Sequence, residues 1–358
     1  MRFLPSIFGP EENSLLGLDI SSSAVKLLEL SRAGNSYRVE AFANEPLAAG
    51  AVVDQQIKEP EQVGVAIARA VRHSGTSLRR AALAVSAAEA ISKVIEMPSD
   101  LSEDEMESQI NFEADQHIPF AIEEVNLDFQ VLGPADRDEA VRVMLAACKR
   151  DTIDLRLAAL EFGGLEAKVV DVETFALQNA AGLLSYQMPN DGVDSIVAIV
   201  DIGARLTKIS ILDNLDTAYI QERQFGGQSL TDDISRRLAI DPGEAEEGKL
   251  RGDLPEPYAS EVLPSFCQDL GEQINRTLQL FYSAHSNVDT VDKILVTGGS
   301  AELPGLVTHL QQQLGVKTEV AKPFERLRKA GRSRGGKFEE ASSGLLLAAG
   351  LALRAFDT

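Results

Sequence analysis

Residues 196–212, IVAIVDIGARLTKISIL, run through five apolar side chains into Asp201, turn over Ile202-Gly203-Ala204, and then alternate polar and apolar from Lys208 onward. The pattern predicts a buried strand, a sharp turn and a half-buried return strand. Residues 15–30, LLGLDISSSAVKLLEL, repeat the order: apolar strand, Asp19, short polar turn, and a return strand carrying Lys26. The interval from aspartate to lysine is the same in both copies, which lie about half a chain apart. Two similar domains are expected, with a ligand clamped between them meeting one turn from each side.

Between and beyond the hairpins the periodicity alternates. Residues 37–42 read as a third strand and 45–57 as loop, while 60–73 place Val63, Ile67, Ala70 and Val71 at helical spacing before Ser74-Gly75 stops them. Residues 81–85 continue the sheet. A strand at 91–97 ends at Pro98, Ser102 with Glu105 forms a capping box for a helix to about 117, and Ile118-Pro119-Phe120 breaks it. Strands at 125–132 and 141–148 and a helix at 151–162 complete a compact α/β insertion. Residues 166–172 return as a strand, 174–185 as a helix, and Pro189-Asn190-Asp191-Gly192 marks a boundary. In the second half, helices are expected at 230–238, 244–250 and 266–283. A strand at 292–296 runs into Thr297-Gly298-Gly299-Ser300, and a helix follows Pro304. Residues 326–337 are basic and read as a mobile loop; 345–356 form a closing helix. Alternating β and α in this order implies an α/β fold with mixed sheets and helices on their faces.

Composition narrows the function. The chain has 358 residues, 44% of them hydrophobic, enough for two cores. A net charge of −21 argues against nucleic acid, which needs clustered Lys and Arg. Cys148 and Cys267 are far apart, so neither a disulfide framework nor a zinc site is indicated, and a reducing compartment is the simple reading. The N-terminal segment lacks a signal-length apolar run, and the longest such run elsewhere is half of a membrane span, so a cytoplasmic chain is expected. Phe3, Leu4, Ile7 and Phe8 are open between a self-packed terminus and a contact with membrane or partner.

The chemistry concentrates at turns. Gly203 lets backbone N–H groups approach phosphate oxygens, and an aspartate in the same turn faces phosphate through a cation or water, so Asp19 and Asp201 together suggest a Mg-nucleotide; a purely structural hairpin turn is the alternative. The Gly226-Gly227 pair and the Thr297-Gly298-Gly299-Ser300 turn are two more places for close backbone approach. Glu173, where a strand gives way to a helix, is either a water-positioning residue for phosphoryl transfer or a first-turn acid complementing the helix dipole. Glu246 and Lys249, one turn apart, read equally as an ordinary surface ion pair.

In order, LGLDISSSAVK, VVDVETFAL, VDIGARLTK, the A-E-E-G-K pair, ILVTGGSA and GLLLAAGLAL resemble the phosphate hairpins, connecting helices and adenosine loop of the actin-like ATPase superfamily. LDISSSAVKLLEL, FEADQHIPFAIEEVNLDFQVLG and AKVVDVETFALQNA are more specifically similar to the PilM family of type IV pilus assembly proteins, an FtsA-like branch. The resemblance implies an actin-like fold of two similar domains around a nucleotide cleft: domain I at 12–190 with an FtsA-type IC insertion at about 81–163, domain II at 191–343 with subdomain IIB at about 223–267, and a closing helix at 344–358. It implies ATP and Mg as ligands, with Asp19 and Asp201 ordering the metal's water shell and Ser21, Ser22, Lys26 and Gly203 meeting phosphates. Glu246, Lys249, Gly298, Gly299 and Ser300 would line the nucleoside and Gly227 the ribose, with Glu173 and Asp201 the catalytic candidates of at most a slow ATPase. The implied partner is the N-terminal cytoplasmic tail of the membrane protein PilN, in a groove between IA and IC. Ile118 and Phe120 are candidates for one wall of that groove, or else belong to the core. Other pilus inner-membrane components and self-association are further partners the family suggests, and the location would be peripheral to the inner membrane. An FtsA-like polymer-forming division protein and a small-molecule kinase of the same fold are the alternatives. The basic 326–337 segment matches no family motif.

Overall fold

The computed structural model describes residues 14–357 apart from 136, 138, 286–287 and 332–335. The apolar N-terminal positions Phe3 to Phe8 lie outside the described residues. In chain order the elements are β1 (Leu16–Ile20), β2 (Ala24–Ala33), β3 (Ser36–Pro46), β4 (Val52–Val53), β5 (Gln56–Ile57), α1 (Pro60–Ser74), β6 (Arg80–Val85), β7 (Ala90–Pro98), α2 (Glu103–His117), β8 (Val125–Pro134), β9 (Ala140–Lys149), α3 (Arg150–Phe162), β10 (Glu166–Val172) and α4 (Glu173–Ala181). There follow β11 (Ile196–Ile202), β12 (Thr207–Asp213), β13 (Asp216–Arg223), α5 (Gly227–Leu238), α6 (Pro242–Arg251), α7 (Leu263–Ala284), β14 (Lys293–Thr297), α8 (Leu306–Leu314), β15 (Thr318–Val320), β16 (Arg328–Lys329), α9 (Gly336–Ser342) and α10 (Leu346–Leu353).

Two sheets share one topology. The first runs β10-β6-β1-β2-β3-β16 and the second β13-β12-β11-β14-β15. In each, a hairpin leads (β1-β2, β11-β12) and a later strand joins in parallel beside its first member (β6 beside β1, β14 beside β11). The expected duplication is present, and its register explains the equal spacing noticed in sequence. Asp19 stands directly opposite Lys26, and Asp201 directly opposite Lys208.

Contacts divide the described chain into two compact units, one holding residues 14–29, 45–176 and 351–357, the other 30–44 and 177–350. In the first unit, α2 opens on the capping box: Ser102 N–H donates to Glu105 Oε2 at 2.8 Å, and Glu105 N–H to Ser102 Oγ at 3.4 Å. Met106 and Ile110 of α2 pack on Met97, Val143 and Leu145 of the three-stranded sheet β7-β9-β8, which gives the insertion its own small core. Helix α3 leaves this insertion and lies against α1. The approach is close enough that a Cβ on Gly64 would sit 2.3 Å from Phe162 Cβ, so only glycine fits there.

In the second unit β11 is buried on both faces. Val200 and Ile202 meet α5, α7 and α8 through Leu230, Ile274, Leu278 and Leu310, while Val197 and Ile199 meet Ala180, Ala181, Leu184 and Leu346. A strand covered on both sides has no need of alternation, hence the unbroken IVAIV run. The helix expected over 174–185 is α-helical only to Ala181 and continues as a 3-10 turn, Gly182–Gln187, beginning at a glycine that pays extra backbone entropy in a helix. Part of the expected loop at 45–57 is the small hairpin β4-β5. Of the basic stretch, Arg328–Lys329 is an edge strand rather than loop, fixed by pairing with β3; positions 332–335 lie outside the described residues.

Candidate functional site

The second unit gathers three turns at the carboxyl ends of β11 and β14, the edge where open α/β sheets bind ligands. Asp201 pairs in register with Thr297, so the turn after β11 and the Gly298-Gly299-Ser300 turn after β14 emerge side by side. They are laced by backbone. Ser300 N–H donates to Ile202 O at 3.3 Å, Gly227 N–H to Gly203 O at 2.9 Å, and Gln228 N–H to Ala204 O at 2.7 Å. Glycine is required at this density. A Cβ on Gly226 would lie 2.5 Å from Gly203 O, and one on Gly298, whose φ is 94°, would lie 2.4 Å from Asp201 Oδ1. Gly298 is held by its own N–H to Ser343 O at 3.2 Å. Gly203 itself needs less: its Cβ would meet Leu206 O at 3.0 Å.

Lys249 reaches this floor from α6. Its buried ammonium donates to Gly227 O at 3.1 Å, Thr231 Oγ1 at 2.8 Å and Glu246 Oε2 at 2.6 Å, using all three protons. It ties α6 to the first turn of α5, while Glu246, its side chain 44% exposed, keeps a carboxylate edge toward solvent. Ser300 is buried, and a Cβ on Gly227 would meet its Oγ at 2.4 Å. Gly227, Glu246, Lys249, Gly298 and Ser300, chosen from three sequence stretches, thus share one floor with Gly203 and Asp201. Sequence reasoning did not single out Gly226, the one of the pair walled in by backbone alone, or Thr231, whose TDD context carries no turn signal.

In the first unit the corresponding turn is smaller. Asp19 is buried and pairs with Lys26 at 3.3 Å. Ser21 Oγ donates to Ala24 O at 3.0 Å and accepts from Ala24 N–H at 3.2 Å, closing the turn on itself; Ser22 is half-buried beside it. Glu173 is the first residue of α4, directly after β10. Two residues earlier Asp171 is buried, and burial pushes its carboxyl upward against the opposing pull of Arg354 at 3.2 Å.

The residues fit a Mg-nucleotide. Among the described residues no three His, Cys, Asp or Glu converge on one point. The glycine turns let a ligand come close to backbone with no side chain in the way.

Of the two groove candidates, Ile118 is buried with Ala114, Val125 and Ala147 in the insertion's core. Phe120 is half-buried against the same cluster, with Lys149 Nζ 4.4 Å over its ring.

Residues 17–356 match the profile of the type IV pilus assembly protein PilM family. The chain belongs to the PilM family. Its structure resembles that solved as the PilM-PilN type IV pilus biogenesis complex with a TM-score of 0.77 and 28% identity, covering 96% of this chain and 99% of that one. Two further neighbours share the fold alone. The ethanolamine utilization protein EutJ of Carboxydothermus hydrogenoformans gives a TM-score of 0.54 at 17% identity, covering 95% of this chain and 89% of its own. MreB5 of Spiroplasma citri, bound to ADP, gives 0.51 at 14%, covering 98% and 100%. The cell division protein FtsA of Streptococcus pneumoniae is 26% identical over 149 residues, 35% of this chain and 32% of that protein, so the match spans about a third of that relative's length. The PilM-family chain therefore has the actin-like ATPase fold, with the FtsA-like relationship expected from its sequence. No described helix is long and apolar enough to cross a membrane.

Proposed function

We propose that this PilM-family chain is an ATP-binding adaptor of type IV pilus assembly that holds the N-terminal cytoplasmic tail of a PilN partner. The observation that carries the reading is the likeness, over nearly the whole of both chains, to the protein solved in complex with PilN. For ATP, the support is the glycine floor of the second unit and the MreB5 neighbour bound to ADP. Gly226 and Gly299 bring backbone to the phosphates, while the N–H groups of Gly203, Gly227, Gly298 and Ser300 close the floor on which they lie. Asp201 would stand beside the hydration shell of a bound Mg and Glu246 would turn its exposed edge to the nucleoside, while Lys249, its three protons already given to the protein, would hold the floor rather than the ligand. Asp19, Ser21, Ser22 and Lys26 repeat the phosphate chemistry in the first unit's turn. Bound Mg would supply charge neutralisation of the phosphates.

Hydrolysis should be slow, because Glu173 is the one candidate for positioning water. Its variant Glu173→Ala is expected to keep the Mg-ATP thermal shift and to lose most of any ATPase turnover. Turnover near about 10 per second, the median for enzymes, would favour the kinase reading instead. A Glu173→Ala variant that loses the shift would make the residue a binding or structural group.

For the tail, the first unit offers a cluster of acids around one arginine. Arg354 lies 3.2 Å from Asp171 Oδ2 and 2.6 Å from Asp357 Oδ2, and its charge also reaches Asp128 on β8. Two carboxylates thus pair with one guanidinium, and a third stands within its electrostatic reach. Burial pushes the Asp128, Asp171 and Asp357 carboxyls all upward, so a further cation beside them would favour their charged forms. An Arg or Lys of the tail supplies it, with apolar tail residues against the insertion.

Asp128→Asn is the test. Its raised folded pKa means that this carboxyl favours the fold below its unfolded pKa of about 3.9 and works against it as pH rises through the folded value. The variant should therefore be as stable as the parent or more so at pH 7, yet bind a PilN tail peptide about tenfold more weakly, since a hydrogen bond to a charged group contributes about 1.5–3 kcal/mol. Phe120→Ala, read alongside, tests the apolar contact of the tail with the insertion. Weaker binding there with unchanged Asp128→Asn would move the tail to the Ile118-Phe120 side. No binding of any such peptide, with or without ATP, sinks the adaptor reading.

A further inference from the structure

The basic stretch beginning at Arg326 takes no part in the nucleotide or tail reading, yet its described residues build a feature of their own. Strand β16 pairs in parallel with β3, with Arg328 opposite Arg38 and Lys329 opposite Val39. Residues opposed on neighbouring strands share a face, and like charges so placed repel. The end of β2 adds Arg32. Together Ser31, Arg32, Arg38, Arg328, Lys329 and Gly331 line an open cavity of about 590 Å³.

Neutralisation of this cluster is incomplete. Arg38 Nε lies 3.4 Å from Glu40 Oε1, and the same oxygen accepts from Ser31 Oγ at 2.6 Å. Lys329 pairs with Glu339 and lies 5.2 Å over the Phe338 ring. Among the described residues neither Arg32 nor Arg328 has a carboxylate partner. The chain carries 55 acidic against 34 basic side chains, so an unselected surface would surround these cations with acids. A concentrated positive cavity in a protein of net charge −21 is instead a local exception to its own field.

We propose that this cavity binds a phosphate-bearing anion, a diphosphate or phosphodiester group held by the guanidinium forks of Arg32, Arg38 and Arg328 with Lys329 as a point charge. Planar forks match phosphate oxygens two at a time, and a multiply charged anion between opposed strands removes the repulsion between Arg38 and Arg328. The same chemistry is carried by a free phosphorylated small molecule and by a phospholipid headgroup. The second source has a diagnostic feature here: the overall charge repels the protein from an anionic bilayer, so attachment must come from a local site.

The experiment has two arms on the full chain. Titration calorimetry with inorganic pyrophosphate, in saturating Mg-ATP so that the nucleotide turns are occupied, compares the parent with Arg38→Gln/Arg328→Gln. Flotation with phosphatidylcholine vesicles, with and without phosphatidylglycerol, compares the same two proteins. Loss of two charge-assisted contacts should weaken binding at least about tenfold and flatten its salt dependence. The thermal melt and its Mg-ATP shift should stay unchanged, since both side chains are exposed. Pyrophosphate binding lost in the variant assigns a soluble ligand, and phosphatidylglycerol-dependent flotation lost in the variant assigns a lipid headgroup. Binding in neither arm, or binding that the double variant retains in full, overturns the proposal. A variant that melts early is replaced by Arg32→Gln, which alters no paired strand position of β16, and the same criteria apply.

Discussion

Replacing Gly298 by alanine should abolish the stabilisation of this protein by Mg-ATP. With ligand at 100 times its dissociation constant, the parent gains about 2.7 kcal/mol, seen as a higher melting temperature. Gly298 has a φ of 94°, and its Cβ would stand 2.4 Å from Asp201 Oδ1, 2.5 Å from Ile202 O and 2.7 Å from Ile202 N. Two of those atoms are backbone of the central strand β11, buried on both faces, so the strand will not yield and the turn must move. The left-handed conformation alone costs a side-chain-bearing residue about 1–2 kcal/mol. The variant should lose at least that much stability and, with the phosphate turns displaced, nearly all of the nucleotide shift. Gly299→Ala is the control for stability, because a Cβ there meets nothing within 4 Å of the protein; it should melt like the parent in the absence of nucleotide. A Gly298→Ala protein that retains the full shift would remove the three-turn floor from the nucleotide reading, whatever its stability.

Arg156→Ala should be among the most destabilising single changes outside the aromatic core. The side chain leaves α3 and is buried. Its Nε donates to Ala84 O at 3.1 Å, Nη1 to Thr152 O at 3.1 Å, and Nη2 to Gln55 O at 3.2 Å and Glu89 Oε2 at 2.6 Å. One guanidinium therefore joins the end of β6, the β4-β5 hairpin and the entry to the insertion. Truncation leaves the mostly buried Glu89 carboxylate without its cation, along with orphaned carbonyls, and breaking a buried pair in this way costs about 3–5 kcal/mol. Lysine cannot reproduce four contacts in a fork geometry, so Arg156→Lys should recover only a part. Urea denaturation measures both. A midpoint for Arg156→Ala within error of the parent would show that the junction is held by the α1-α3 packing instead.

Sequence by itself determined what depends on neighbours along the chain. The apolar run into Asp201 and its echo at Asp19 specified two hairpins, because burial on both faces of β11 demands unbroken hydrophobicity and the polar, glycine-containing break after it marks a turn. The Asp-to-Lys interval encoded a cross-strand pair, since hairpin register is set locally by the turn. Ser102 and Glu105 named the start of α2, whose cap is made within one turn of helix. The family was legible in the same stretches, which together span nearly the whole chain. What only the tertiary structure decided depends on residues far apart in sequence. Polar β13, DTAYIQER, becomes a strand because β12 offers it an edge. Arg156 reads as the polar face of a helix until Gln55 and Glu89, 101 and 67 residues away, converge on it. Lys249 reads as a surface partner of Glu246, yet Gly227 and Thr231 bury it and spend its donors. Arg38 and Arg328 acquire meaning only when β16 is laid against β3. Local pattern reports which face of an element will be buried; which charge meets which is fixed only when the chain closes on itself.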